Sequence, residues 1–195
     1  MLAKILLLLI NTTVFIYTTV VLLRFMLQVA RADFYNPISQ FVVKATDPLL
    51  KPLRRVIPGL GGVDVPSLVL AALVQLLGML LLMLLLGGFS SNPLVYTLLP
   101  LLGVLAVLLK LFFFAIIIVI IVSWVAPNNY NPAAILLRQV TEPVMQPFRR
   151  ILPPMGGLDF SPMIAMFVIY ILQSIVLPEL LFACGGGFLM QLGFF

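Results

Sequence analysis

The chain has 195 residues, of which 63% are hydrophobic and 9% charged, and its mean hydropathy is +1.25. That composition leaves too little polar surface to coat a soluble globule, so it excludes a water-soluble domain and predicts an integral membrane protein. The net charge of +5 would suggest nucleic acid in a soluble chain, but here most basic residues stand beside long apolar runs and no nucleic-acid partner is expected.

The single cysteine, Cys184, and the absence of histidine exclude an intrachain disulfide and a His or multi-Cys metal site. Haem and iron–sulfur ligation are equally poorly supplied, so no cofactor is expected.

In chain order, the first apolar run predicts a transmembrane helix over about 5–30, with Arg24, Gln28 and Arg31 near its end. A signal peptide is the rival reading, because Lys4 precedes the run and Ala30-Arg31-Ala32 imitates a cleavage site. The run exceeds the usual length of such a segment, and its counterpart later in the chain is internal. Pro37 can open a short helix, and Thr46 or Asp47 reads as the N-cap of a second one beginning at Pro48. From there Leu49, Leu50, Leu53, Val56 and Ile57 share one face and Lys51, Arg54 and Arg55 the other, so 36–58 reads as a basic amphipathic segment lying on the membrane. Pro52 should kink or shorten it, and Pro58 should end it. Gly61-Gly62 permits a turn, and Asp64 is placed to cap a second span over 66–86.

The uncharged turn around Gly87 to Pro93 separates two units, 1–93 and 94–195. A third span is predicted over about 100–125, with Trp124 and Tyr130 suited to the head-group level, and a second basic segment over 131–153. That segment has Val144, Met145, Phe148, Ile151 and Leu152 on its apolar face. Asp159 caps a fourth span over 162–181, Gly185-Gly186-Gly187 stops it, and the tail to Phe195 either lies on the membrane or packs on the bundle.

The two units are copies. Tyr35-Asn36-Pro37, Thr46-Asp47-Pro48, Pro52-Leu53-Arg54-Arg55, Pro58, Gly61-Gly62 and Asp64 return 95 residues later as Tyr130-Asn131-Pro132, Thr141-Glu142-Pro143, Pro147-Phe148-Arg149-Arg150, Pro153, Gly156-Gly157 and Asp159. A tandem duplication is the only plausible source of such a register. The predicted fold is therefore an all-α membrane protein with four transmembrane helices, arranged as two parallel tandem repeats of helix, amphipathic segment and helix. The two hairpins are expected to pack face to face. The lysine and arginine bias places both basic segments in the cytoplasm and both termini in the periplasm.

Among charges within the spans, snorkelling is the simpler reading for Arg24 and pairing with Asp64 or Asp159 the sharper one. Lys110 and Glu179 are expected either to pair or to snorkel. Polar residues such as Gln75 and Gln173 read as hydrogen-bonding glue between helices.

The duplicated loop, together with the run from Arg31 to Lys44, resembles the YggT family of bacterial inner-membrane proteins, which has plant and cyanobacterial relatives. The resemblance implies an inner-membrane location and no known enzymatic activity. It also implies roles that do not converge: osmotic or ionic stress tolerance, cell division and nucleoid organisation, and cytochrome assembly in chloroplasts. No Ser-His, Cys-His, metal or phosphate-loop constellation is present, so an enzyme is not expected. The leading reading is a non-catalytic scaffold or assembly factor in which Lys51, Arg54, Arg55, Arg149 and Arg150 bind anionic lipid or a membrane-protein partner, with a homo-oligomer also possible. The alternative is a small channel or transporter component, with Arg24, Gln75, Lys110 and Glu179 as its polar elements.

Overall fold

The computed structural model describes residues 1–59, 62–125, 131–151 and 159–194, and it is all-helical. The helices are α1 (Leu2–Val29), α2 (Pro37–Val56), α3 (Val65–Leu86), α4 (Val95–Val125), α5 (Pro132–Ile151), α6 (Ser161–Ile171), α7 (Leu177–Ala183) and α8 (Gly187–Gln191). A π-helical turn, Leu172–Val176, joins α6 to α7 into one membrane-length rod. Four helical stretches are long and apolar enough to cross a bilayer: α1, α3, α4 and Ser161–Ala183. Gly61, Tyr130, Leu152, Pro153, Gly156, Gly157 and Phe195 lie outside the described residues.

Several helix ends follow from local chemistry. At the end of α1, the Ala32 amide donates to the Leu27 carbonyl (2.9 Å) and the Arg31 amide to that of Gln28 (3.1 Å), a paired C-cap that needs a left-handed residue at its centre. Arg31 supplies it, at φ 49°, without being glycine. Gly87, at φ 72°, does the same for α3. At the start of α2, Asn36 is the N-cap, its Oδ1 accepting from the Ile38 amide at 3.0 Å, with Pro37 in the first turn.

The expected break in α2 is absent. The helix runs unbroken through Pro48 and Pro52, so neither Thr46 nor Asp47 is an N-cap. Thr46 sits inside the helix and donates its hydroxyl to the Val42 carbonyl at 2.8 Å. The lost backbone donors are tolerated because α2 is pinned along its length: Ser39, Val42, Thr46 and Leu50, at i, i+3, i+7 and i+11, are all buried against the spans. A further stripe, Ile38, Phe41, Leu49 and Val56, stays exposed, and Lys44, Lys51 and Arg55 occupy the remaining face. α4 likewise begins at Val95, ahead of Pro100, which lies inside it.

The spans do not form two hairpins packed face to face. α1 lies against α3, α4 packs on both of them, and the α6–α7 rod packs on α4. Small side chains mark the close approaches, as expected where helices meet in lipid. A Cβ on Gly78 of α3 would stand 2.5 Å from a methyl of Val14 on α1. The repeat counterpart of Gly78 is Gln173, which falls in the π-helical turn. The C-terminal tail packs on the bundle: Leu189 and Phe194 join a cluster with Val14, Met79, Leu82 and Leu99.

Candidate functional site

The basic residues gather at one end of the bundle, because α1 and α4 run parallel and each is followed in the chain by a surface helix. The two surface helices meet there. Asn36 donates from Nδ2 to the Pro132 carbonyl (2.8 Å), and Leu136 and Val140 of α5 pack with Met26, Leu27 and Val42.

Arg24 is buried, and neither sequence reading of it holds. One of its terminal nitrogens, Nη1, donates to Asp47 Oδ1 (2.7 Å), to Thr46 Oγ1 (2.7 Å) and to the Val43 carbonyl (3.2 Å). It pairs with neither Asp64 nor Asp159, because α2 folds back over the end of α1 and brings Asp47 closer. Lys51 reaches the other oxygen of Asp47 at 2.9 Å. Hydrogen bonds from Lys51 and then from Arg24 hold the Asp47 carboxyl below the usual carboxylate range.

The repeated arginine pair divides its labour. Arg54 binds Asp64 at 2.6 Å, and Ser67 donates its hydroxyl to the same carboxylate oxygen at 2.6 Å. The Asp64 side chain is only 3% exposed. It begins α3, but its carboxylate accepts no backbone amide, so the side-chain cap expected there is replaced by a clamp between α2 and α3. Arg149 repeats the clamp in the second unit, reaching Asp159 at 3.1 Å and also Glu142 at 2.6 Å. There Asp159 keeps a capping contact, accepting from the Ser161 amide at 2.9 Å. Burial would raise the Asp159 carboxyl, but bonds from Ser161 and Arg149 outweigh it and hold the group low. Burial would also discharge Arg149, yet Glu142 and Asp159 prevail and hold it charged.

Val119 stands where Arg24 does in the first unit, so Glu142, the counterpart of Asp47, has no such partner and turns to Arg149 instead. Asp47 and Glu142 are the site residues that sequence reasoning missed. The Asp47–Lys51 spacing of four was a readable signal, as was the spacing of ten that both units keep between arginine and aspartate.

The second arginine of each pair is among the cations that remain available on this face, as is the exposed Arg31. Arg55 and Arg150 are exposed and, with Lys44, make no ion pair among the described residues. Lys51 is also largely exposed beyond its contact with Asp47. Lys110 and Glu179 form no ion pair: the Lys110 ammonium lies 6.0 Å from the centre of the Phe15 ring, and Glu179 is exposed on α7. Among the described residues there is no group of three or more His, Cys, Asp or Glu placed to hold a metal.

The chain is 48% identical to the uncharacterized protein PA0392 of Pseudomonas aeruginosa, over 85% of this chain and 84% of that one. It is 40% identical to the uncharacterized protein YggT of Escherichia coli K12, over 91% of each. An uncharacterized protein of Haemophilus influenzae is 38% identical over 83% of this chain and 85% of its own. No solved structure matches. The CCB3/YggT family profile matches residues 3–85 and again 98–180, one match to each helix, surface helix and helix unit. With four membrane-length helices and a family match across both repeats, the chain belongs to the CCB3/YggT family of multi-pass membrane proteins.

Proposed function

We propose that the protein is a non-catalytic scaffold of the bacterial inner membrane, whose two basic surface helices hold anionic lipid head groups and through them a membrane-protein partner. The observation that supports this reading is the split of each arginine pair. Arg54 and Arg149 are consumed in clamping α2 and α5 to the spans, which leaves Arg55 and Arg150 exposed and without an ion pair among the described residues. Rigid cations at a leaflet surface attract anionic lipid with about 1 kcal/mol each. The exposed stripe Ile38, Phe41, Leu49 and Val56 suits the acyl boundary beside those head groups. In this reading the basic end faces the cytoplasm and both termini face the periplasm.

The test is mild-detergent purification of wild type beside Arg55→Gln/Arg150→Gln, followed by mass spectrometry of the bound lipids and proteins. The reading predicts that anionic lipid and any stoichiometric partner are depleted while the protein stays folded. Identical lipid and protein content in both preparations would refute it.

A further inference from the structure

The contact between the two units is made once within the chain, and the repeat leaves a second copy of each of its sides open. On one side α4 presents Pro100, Val104 and Val107: Pro100 lines a groove with Leu68 and Ala72 of α3, and Val104 and Val107 pack with Leu70 and Ala71. Their counterparts 95 residues earlier, Ile5, Leu9 and Thr12 of α1, are all exposed; Val104 is 7% accessible and Leu9 57%. On the other side α3 presents Leu68, Ala72 and Gln75, and Gln75 shares the wall of a cavity with Val107. Their counterparts on α6, Met163, Phe167 and Tyr170, are exposed as well, Tyr170 at 56% against 2% for Gln75. Among the described residues α6 packs on α4 and α5, and no helix takes the place at α6 that α4 takes at α3.

Lipid alone covers an apolar face at no cost, but these two faces carry hydroxyls. Tyr170 stands about 14 Å into the span that begins at Ser161, at 1.5 Å per residue, deep below the head-group belt where tyrosine is at home. Neither its hydroxyl nor that of Thr12 has a hydrogen-bond partner among the described residues. A bare hydroxyl in hydrocarbon favours a second helix that brings it a partner.

We propose that the protein associates head to tail with a second copy of itself, α6 of one chain taking α1 of the next in the place where α3 takes α4 within a chain. Both pairs are antiparallel, because units of two spans all share one orientation in the membrane. Gln75 and Val107 stand around one cavity and so at one depth; their counterparts Tyr170 and Thr12 therefore meet across the interface, where the two hydroxyls bond each other. The contact joins different surfaces, so it closes as a ring, the smallest of which is two chains with four units. It does not depend on the lipid reading of the basic helices, which lie at the end of the bundle.

The test is disulfide trapping in the cell membrane. Cys184, the single cysteine, is removed by Cys184→Ser, and full-length Thr12→Cys and Tyr170→Cys proteins on that background are co-expressed with different tags. Each chain then holds one thiol, so a disulfide between the two tags joins separate chains. Mild oxidation should link them at least about tenfold more than it links Leu77→Cys with Tyr170→Cys, because a held pair far exceeds the effective concentration of chance encounters. Leu77 is a fair comparator, being exposed on α3 close to Gln75 in depth. Thr12→Cys or Tyr170→Cys expressed alone should link to itself no better than the comparator does. Linking at the comparator's level, or stronger linking of either variant to itself, overturns the head-to-tail contact. Wild-type protein extracted with its lipid in styrene–maleic acid discs should carry two or more chains per disc; a single chain overturns the proposal whether or not the variants fold.

Discussion

Replacing Asp47 by asparagine should destabilise the protein far more than replacing the arginine it binds. Arg24 is 6% exposed, and among the described residues Asp47 is the only carboxylate that reaches it; its other acceptors are the Thr46 hydroxyl and the Val43 carbonyl, both neutral. Orphaning a fully buried charge costs about 3–5 kcal/mol. The Asp47 side chain is 23% exposed, so water recovers part of that and about 2–3 kcal/mol is expected. Arg24→Met removes the buried charge itself. Thr46 keeps its bond to Val42 and Asp47 keeps Lys51, so about 1 kcal/mol is lost. The double variant should then lie close to Arg24→Met, giving a coupling of about 2–3 kcal/mol. Reversible unfolding of the four proteins in mixed micelles measures this cycle. Additivity within about 0.5 kcal/mol would show that the pair is not coupled and that Arg24 is held by something else.

Four further outcomes follow from the geometry. Arg54→Gln strands the buried Asp64 carboxylate and should cost about 2–3 kcal/mol, whereas Arg149→Gln, with both partners more than a third exposed, should cost under about 1 kcal/mol; chemical unfolding compares them. Gly78→Ala forces a Cβ against Val14 and should cost about 1–3 kcal/mol, most of it recovered by adding Val14→Ala, as thermal unfolding would show. Arg31→Gly relieves the left-handed backbone at the end of α1 and should stabilise the protein by about 1 kcal/mol in the same assay. Asp47 and Asp159 titrate lower in the folded protein than in the unfolded chain, so their stabilisation is complete above the ordinary carboxylate value near 4 and is lost as pH falls through the folded value. Stability measured from pH 6 down to 2 should therefore decline below about pH 4, and less steeply in Asp47→Asn.

Much of the architecture was legible because it rests on strong, local or repeated signals. Runs of apolar residues determine the spans, and a register kept over 95 residues reveals the units. What stayed hidden depended on how the surface helices lie. Read alone, Pro48 ends one helix and starts another; only burial of Ser39, Val42, Thr46 and Leu50 on the spans makes one continuous helix the better solution. The same docking brings Asp47 to Arg24 across 23 residues, a pairing that no periodicity announces. The basic surface looked like one set of equivalent cations, yet the aspartates ten residues on take the first arginine of each pair and leave the second. Gln173 looked like ordinary helix-to-helix glue; the π-helical turn in which it stands is announced by no periodicity.

The central claim, that the clamped surface helices present Arg55 and Arg150 to anionic lipid, is tested most directly by native mass spectrometry of phosphatidylglycerol retention. At about 1 kcal/mol per arginine, Arg55→Gln/Arg150→Gln should weaken phosphatidylglycerol binding by roughly thirtyfold at low salt while leaving phosphatidylethanolamine binding unchanged. Arg54→Gln should lower stability yet largely spare the lipid preference of whatever remains folded. Unchanged selectivity for phosphatidylglycerol in the Arg55→Gln/Arg150→Gln protein would contradict the account.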